Sequence, residues 1–319
     1  MVFKNSFDNM TPEETALLEK YFCGYNYEAS SHTFIANYIW KDTHHITWEI
    51  IGKYLCLLGM GTLETEEKEY FMSFPLTRWG SYDLEELRYT IDTARARFAE
   101  EGIPFEISMI PESLAPLLTE LYGDEVVISH DRDDDDYIYL REDLAELKGR
   151  KYHQKKNHLN YFLRTYDWSY EEITPDNLEE VREFLVRING DKLEELPEEW
   201  RTILQLESQA IQLLLEFVGT GQLFTGLIRV DGKVEAVSIG EYSCPISKEA
   251  VLVHVEKANP EIRGLYQAIN KEFCRHLPDH VIYVNREEDM GMETLRQTKL
   301  SYKPVRLAEK YSAVWKQGI

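Results

Sequence analysis

Hydrophobic and polar residues follow strand and helix periods in both halves of the chain. Apolar runs over 46–51 and 54–58 flank Gly52-Lys53, a spacing that predicts a two-residue hairpin. Over 83–101 the apolar residues recur at three- and four-residue steps before Gly102, which predicts a helix. The rest of the first half predicts a helix from Thr11-Pro12, strands over 70–74, 105–110, 125–129 and 137–140, and a helix over 112–122.

The second half repeats this order of elements, although no residue-level repeat is visible. Asp231-Gly232 separates apolar runs over 223–230 and 234–242, which predicts a type I′ hairpin. Helices are predicted over 151–166, 176–189, 198–218, 263–276 and 292–299, and strands over 250–255, 281–285, 303–307 and 311–315. Two copies of one pattern predict an α/β fold class with mixed sheets and two domains, 1–145 and 146–319. The first domain is expected to be mainly structural.

Length and composition agree with two packed domains. A chain of 319 residues exceeds the size at which one core usually stops growing, and 43% of its residues are apolar. No stretch approaches the roughly 20 apolar residues of a membrane-spanning helix, and no apolar signal core opens the chain. The four cysteines form no CxxC pair, so neither a zinc site nor a disulfide framework is expected. We therefore expect a cytoplasmic protein with no membrane span.

Charge changes the picture of the partners. Lys and Arg number 35 and Asp and Glu 57, so the formal charge is −22. Such a balance repels nucleic acid and anionic membranes at long range, and a polyanionic partner would need a local basic patch. The acidic run 131–136 beside His130 lacks the Gly and distal Glu of a calcium loop. We expect that run to be a solvated loop and predict no metal site.

One segment has the opposite charge. Residues 148–166 contain six Lys or Arg, two His and no acid. The core-facing stripe of this predicted helix is Tyr152, Leu159, Leu163 and Tyr166. Its basic residues could receive phosphates of a cofactor or of an anionic acceptor; a solvated helix that offsets nearby acids is an equal alternative. The candidate substrate-binding residues here are Lys151, Lys155 and His158.

A glycine turn follows the strand predicted over 250–255. A Gly at a strand-to-helix turn lets main-chain N–H groups and the helix N-terminus approach a pyrophosphate. An ordinary helix start is the alternative. The candidate cofactor-binding residues are Val255, Lys257, Arg263, Gly264, Leu265 and Tyr266.

A second polar cluster follows the strand predicted over 281–285. An apolar strand that ends in acids, an Arg and an Asn is where α/β sheets commonly present polar groups to a ligand. The arginines could clamp a carboxylate or phosphate, unless the cluster is an internal salt-bridge network. The candidate substrate-binding residues here are Asn285, Arg286, Asp289 and Arg296.

These residues together resemble a known family. The motifs are Leu-Lys-Gly-Arg-Lys-Tyr-His-Gln-Lys-Lys-Asn-His over 147–158, Glu256-Lys257-Ala258, Arg263-Gly264-Leu265-Tyr266, Asn285-Arg286-Glu287 with Asp289 and Gly291, Leu295-Arg296, and Lys299-Leu300-Ser301-Tyr302 with Pro304. They resemble the phosphatidylglycerol lysyltransferase C-terminal-domain-like family over nearly the whole chain. The resemblance implies two GCN5-related N-acetyltransferase (GNAT) folds in tandem. The GNAT phosphate-binding pattern, Gln/Arg-x-x-Gly-x-Gly/Ala, has a small residue where Tyr266 stands.

The resemblance implies acyl transfer, with the donor left open. One hypothesis is an N-acyltransferase that moves an acyl group from a coenzyme A thioester to a small-molecule amine, with Glu256 or Glu287 as the base and Tyr302 as the acid. Named relatives move an amino acid from aminoacyl-tRNA to a lipid headgroup, so an aminoacyl-tRNA-dependent transferase is the second hypothesis. A non-catalytic ligand-binding protein with the same fold is the third.

Overall fold

The computed structural model describes residues 2–61, 70–193, 198–244 and 247–316. The chain divides into two compact units. The first comprises Met1–Asp136, Cys244–Ser247 and Ala308–Ile319, and the second comprises Tyr137–Ser243 and Lys248–Leu307. Each unit contains one seven-stranded mixed sheet.

Six strands and four helices of the first unit come from the first 130 residues. Its first helix begins with a capping box, because the Thr11 side chain accepts from the Glu14 N–H and the Thr11 N–H donates to the Glu14 carboxylate. The strands are β1 (Asn5–Ser6), β2 (Thr47–Ile51), β3 (Tyr54–Met60), β4 (Tyr70–Ser73), β5 (Glu106–Pro111) and β6 (Val126–His130). The helices are α1 (Pro12–Phe22), α2 (Phe34–Ile39), α3 (Leu84–Glu100) and α4 (Ala115–Tyr122).

The second unit contains the hairpin that Asp231-Gly232 predicts. Its strands are β7 (Asp136–Leu140), β8 (Trp168–Glu171), β9 (Leu223–Val230), β10 (Lys233–Tyr242), β11 (Ala250–Ala258), β12 (Tyr283–Asn285) and β13 (Arg306–Ala308). Its helices are α5 (Arg141–Glu146), α6 (His153–Thr165), α7 (Leu178–Leu193), α8 (Glu198–Leu215), α9 (Leu265–His276) and α10 (Glu293–Ser301). The sheet order is β13-β7-β12-β11-β10-β9-β8.

The last strand of the chain, β14 (Lys310–Trp315), belongs to the first unit's sheet. It lies between β5 and β6 in the order β1-β2-β3-β4-β5-β14-β6 and is antiparallel to both neighbours. In the same way β7, which precedes residue 145, pairs with β12 in the second sheet. β7 thus belongs to the second sheet and β14 to the first sheet, so the two compact units do not divide the chain at 145/146.

The core of the second unit holds α6 and α9 against the sheet. Leu159 and Phe162 of α6 are buried with Leu265, Ala268 and Ile269 of α9. Leu163, which was expected in this core, is 38% exposed, so that prediction is wrong. The buried stripe of α6 runs through Leu159 and Phe162, and Leu163 lies on the other side of Leu159 from Phe162, at the edge of that stripe.

The predicted mixed α/β fold class is confirmed. Every strand and helix predicted above has a counterpart, with ends that differ by a few residues. The elements that pattern reading missed are short: β1, α2, α5 and β8. No helix in the described ranges is both long enough and apolar enough to cross a bilayer.

Candidate functional site

Two neighbouring strands of the second unit separate at the candidate site. β11 pairs in parallel with β12 only from Ala250 to Leu252, opposite Tyr283 to Asn285. β12 ends at Asn285, whereas β11 continues to Ala258. β11 also carries a register irregularity against β10, opposite Ile239 and Gly240. Bulges of this kind commonly lie next to active sites, because they re-aim side chains.

An ion pair spans the gap that this separation leaves. Glu256 lies in the part of β11 beyond the pairing with β12, and Arg286 directly follows β12. Arg286 Nη2 donates to Glu256 Oε1 at 2.8 Å, and Asn270 Nδ2 of α9 donates to Glu256 Oε2 at 3.0 Å. Both carboxylate oxygens of Glu256 are therefore engaged.

Tyr302 lies beside two cations. The Arg286 guanidinium is 5.0 Å from the centroid of the Tyr302 ring, and Lys155 Nζ is 4.0 Å from it. The Tyr302 side chain is buried, and burial raises the pKa of its phenol far above the usual range. Its backbone carbonyl accepts from the Tyr152 hydroxyl at 3.0 Å. We call Lys155, Glu256, Asn270, Arg286 and Tyr302 the strand-divergence cluster.

Lys155 reaches this cluster from α6. Burial, and then the neighbouring charge of Arg286, lower the pKa of Lys155 to about 8, while Glu256 acts in the opposite direction. Among the residues that the structure describes, Lys155 Nζ makes no hydrogen bond or ion pair, and it lies over the Tyr302 ring face. Within the same described residues, buried Nη1 of Arg286 and buried Oδ1 of Asn270 have no hydrogen-bond partner.

A second ionic group lies beside the cluster. His254 Nε2 is 2.9 Å from Glu241 Oε1, and His254 Nδ1 is 3.2 Å from Glu287 Oε1. Burial acts to lower the pKa of His254, but the two carboxylates outweigh it and raise the pKa to about 9. Burial also raises the pKa of the Glu287 carboxyl, against the effect of His254. Glu287 keeps 31% of its side chain exposed, so it is the more accessible of the two predicted bases.

The rest of the loop after β12 is held by internal contacts. Arg296 binds Asp289 through two hydrogen bonds of 2.9 and 2.8 Å, and these, more than any other contact, lower the pKa of Asp289. Asn285 Oδ1 accepts from the Glu287 N–H at 2.8 Å. Asp289 is fully buried. Asp289 and Arg296 thus fit the alternative of an internal salt bridge, whereas Arg286 faces the strand-divergence cluster.

The glycine turn before α9 is filled by α6. Gly264 has φ +89°, and a Cβ built on it would lie 2.2 Å from the His158 carbonyl oxygen and 2.9 Å from the Phe162 Cβ. Tyr266 is partly buried against the core, and its hydroxyl interacts with the Ala258 backbone at the end of β11. Close packing of α6 therefore accounts for the glycine, and the turn geometry gives no support to a pyrophosphate cradle.

The other predicted cofactor-binding residues do not converge. Val255 and Leu265 are buried. Lys257 binds Glu207 of α8 at 2.7 Å, on the face of the sheet opposite Glu256 and α9. The Arg263 guanidinium is 4.7 Å from the Tyr161 ring centroid on the outside of α6.

The outer face of α6 is basic and open. Lys151 is paired with Asp143 of α5 at 2.7 Å. Lys156, His158 and Arg164 are exposed, as is Arg150 just before the helix. With Arg263 stacked on Tyr161, these residues form a surface that we call the α6 basic face.

Sequence reasoning missed several residues that support the site. His254 lies two residues before Glu256 on one strand, and this spacing predicts that the two side chains share one face of the sheet. Lys299 donates to the backbone carbonyls of Arg286 and Glu287. Asn270 and Tyr139 gave no local signal, because they reach Glu256 and Arg286 only through the fold. Near the acidic run, His130 binds Asp135 at 2.8 Å, and no metal-binding group of three or more His, Cys, Asp or Glu occurs among the described residues.

Replacing Gly264 with Ala should destabilise the protein more than replacing Gly232. Both glycines have positive φ (+89° and +81°), but nothing lies within 4 Å of a Cβ at Gly232. Gly232→Ala should cost about 1–2 kcal/mol for the left-handed backbone, and Gly264→Ala about 1–3 kcal/mol more for displacing α6. Urea unfolding measures both. Equal losses would contradict the packing role of Gly264.

The His254 group predicts a pH dependence of stability. Because its folded pKa of about 9 exceeds the ordinary value of 6.5, this group stabilises the fold fully below pH 6.5, and the contribution is lost as pH rises through 9. The free energy of unfolding should therefore fall more between pH 7 and 9.5 in the wild type than in His254→Gln. The exposed His280 provides the control, since His280→Gln should keep the wild-type slope. Parallel curves for wild type and His254→Gln would contradict the charged state.

Known proteins resemble this chain in sequence. The family model described as phosphatidylglycerol lysyltransferase, C-terminal, matches residues 24–314. An uncharacterized protein of Mycoplasmoides gallisepticum is 26% identical over 181 residues, covering 55% of this chain and 54% of that protein. The chain thus matches about half the length of this curated relative.

Solved structures share the fold. A conserved protein of unknown function from Bacteroides thetaiotaomicron is 29% identical, with a TM-score of 0.80 over 98% of this chain and 100% of that one. L-PGS from Bacillus licheniformis is 12% identical, with a TM-score of 0.60 over 97% and 93% of the two chains. The resemblance that the motifs indicate is confirmed. The chain belongs to the phosphatidylglycerol lysyltransferase C-terminal family.

Proposed function

We propose that this protein transfers an amino acid from aminoacyl-tRNA to a small-molecule amine, with the strand-divergence cluster as its reaction site. Membership of a family named for lysyl transfer supports an aminoacyl group as the cargo. The observation that carries the proposal is the double role of α6. Its outer face is basic and exposed, and Lys155 on its inner side enters the cluster.

Electrostatics supports RNA as the carrier. Salt largely screens the repulsion between the net charge of −22 and a polyanion beyond the Debye length, about 8–10 Å at physiological ionic strength. At shorter distances the local charges decide whether a polyanion binds. Arg150, Lys156 and Arg164 form no side-chain ion pair among the described residues. The aromatic side chain of Tyr161, stacked with Arg263, adds a surface on which a base can stack.

The transfer itself needs a proton acceptor and a fixed geometry. The acceptor amine attacks the ester carbonyl and a C–N bond forms. The C–O bond to the ribose then breaks, and the proton that the acylated nitrogen loses passes to the departing 3′ oxygen. We assign Glu287 as the base that takes the proton of the acceptor ammonium. Glu287 is the more exposed of the two predicted bases, and both oxygens of Glu256 are already hydrogen-bonded. Glu256 then acts as a positioning residue for Arg286.

Coenzyme A as the donor has less support. A pyrophosphate site was expected at the turn around Gly264, where α6 packs against the glycine. The phenol of Tyr302, the predicted acid, is buried, with Gln267 as its hydrogen-bond partner. Turnover of an acyl-CoA with an amine in the absence of tRNA would overturn our proposal in favour of that donor.

Binding of aminoacyl-tRNA should weaken steeply with salt. Each phosphate contact contributes a slope of about −0.7 to −0.9 to log K against log salt. The double variant Lys156→Gln/Arg164→Gln should bind more weakly at every salt concentration and lose about one unit of slope per contact removed. Lys233→Gln is the control, since Lys233 is an exposed cation on the β9–β10 hairpin of the same unit. Filter binding over a range of potassium chloride concentrations measures all three proteins.

Turnover separates an enzyme from a binding protein. Labelled amino acid on bulk tRNA should pass to small molecules of a deproteinised cell extract in many turnovers per protein. Binding without any transfer would support the non-catalytic alternative. Affinity that does not change with ionic strength would remove RNA as the donor.

A further inference from the structure

The strand-divergence cluster contains two cations and one carboxylate. Arg286 and Lys155 both contact the ring of Tyr302, from which they lie 5.0 and 4.0 Å away. Glu256 is the carboxylate bound to Arg286. One positive charge of the cluster is therefore left over, on a lysine that burial has partly removed from water.

Hydrogen-bond donors are also left over at the same place. Nη2 of Arg286 donates to Glu256, whereas Nη1 is buried and has no hydrogen-bond partner in the part of the chain that the structure describes. Lys155 Nζ makes no hydrogen bond among the described residues, so its three N–H donors are open. A buried donor without an acceptor destabilises the fold, and a ligand that supplies the acceptor would remove that cost.

We infer that Lys155 and Arg286 form an oxyanion subsite that binds a carboxylate or phosphate group of a ligand against the face of Tyr302. Such a group would accept from Lys155 Nζ and Arg286 Nη1 and would neutralise the remaining charge. Charge-assisted hydrogen bonds of this kind are about twice as strong as neutral ones. Arg296 does not take part, because Asp289 already binds it through two hydrogen bonds.

The depressed pKa of Lys155 agrees with this subsite. The groups that face Lys155 are Tyr302, Arg286 and Glu256, and Arg286 is the one whose charge lowers its pKa. A bound anion would oppose both burial and Arg286, and would raise the pKa of Lys155 above about 8. Occupancy of the subsite should thus keep Lys155 protonated at neutral and mildly alkaline pH.

The subsite implies that a ligand at the reaction site carries an anionic group. Its part in the transfer reaction rests on the proposed function. The oxyanion has two possible sources. It belongs either to the amine acceptor, which would then carry a carboxylate or phosphate near its amino group, or to a phosphate of the RNA donor.

Binding of inorganic phosphate to the full-length protein tests the subsite without any RNA. Isothermal titration at constant ionic strength should show saturable binding to the wild type, and about tenfold or more weaker binding to Lys155→Gln. Lys233→Gln should bind phosphate as the wild type does. Arg286→Lys keeps a cation beside Glu256 while removing Nη1, and it should also bind more weakly.

A spectroscopic signal guards against variants that simply misfold. In wild-type protein whose lysines carry ¹³C-methyl groups, phosphate should raise the pKa of the Lys155 resonance, assigned by its loss in Lys155→Gln. No change in that resonance, together with no saturable heat, would overturn the subsite. Its failure would leave the salt-dependent binding of tRNA untouched, so the two proposals fail separately.

Competition identifies the source of the oxyanion. If phosphate weakens tRNA binding to the wild type more than chloride does at equal ionic strength, and does not do so in Lys155→Gln, the subsite receives an RNA phosphate. If phosphate and chloride act alike on tRNA, the bound oxyanion belongs to the acceptor. Acetate in place of phosphate then tests whether a carboxylate suffices.

Discussion

The ion pair between Glu256 and Arg286 joins two strands at the point where they stop sharing backbone hydrogen bonds. β11 and β12 pair over only three residues, and the side chains of Glu256 and Arg286 bridge the gap beyond them. Removal of one partner from such a buried pair typically costs about 3–5 kcal/mol, because the other charge is left without compensation. The pair also fixes the Arg286 guanidinium beside Tyr302, so the geometry around this tyrosine depends on it.

Helix α6 connects this buried pair with the surface. The helix begins at His153, packs Leu159 and Phe162 into the core, and presents Lys156 and Arg164 to solvent. Gly264 permits the close approach of α6 to the turn before α9. The helix that packs against Gly264 is thus the same helix that carries Lys155 to the Tyr302 ring. In an acidic protein, this arrangement concentrates positive potential on one face and directs one cation inward.

Local patterns predicted most of the fold and some of the site. The Asp231-Gly232 hairpin and the helix over 83–101 followed from turn chemistry and periodicity, which act over a few residues. The position of β14 between β5 and β6 could not be predicted, because strand pairing across about 200 residues leaves no trace in local spacing. Glu256, Arg286, Tyr302 and Lys155 were candidates from the sequence and do lie together. Which of the two predicted bases has oxygens already bound by other side chains was not predictable, since the hydrogen bond from Asn270 to Glu256 depends on how α9 packs.

The same limits apply to residues whose neighbours in the fold lie far away in the sequence. Gly264 has the residue type and position of a phosphate-binding glycine, yet its environment is set by α6, which lies about 100 residues earlier in the chain. Arg296 and Asp289 have the residue types of ligand-binding groups, and they bind each other through two hydrogen bonds. Residue type indicates what a side chain is able to bind, and the fold decides whether a protein partner already occupies it.

In the proposed function, α6 guides an aminoacyl-tRNA to the strand-divergence cluster. Photocrosslinking tests it most directly, with charged tRNA that carries photoactivatable nucleotides in its acceptor stem and mass spectrometry to locate the crosslinked peptides. We expect crosslinks within His153–Thr165 that an excess of aminoacyl-tRNA without photoactivatable nucleotides suppresses. Crosslinks confined to the first unit, or none on α6 despite tight binding, would contradict the claim.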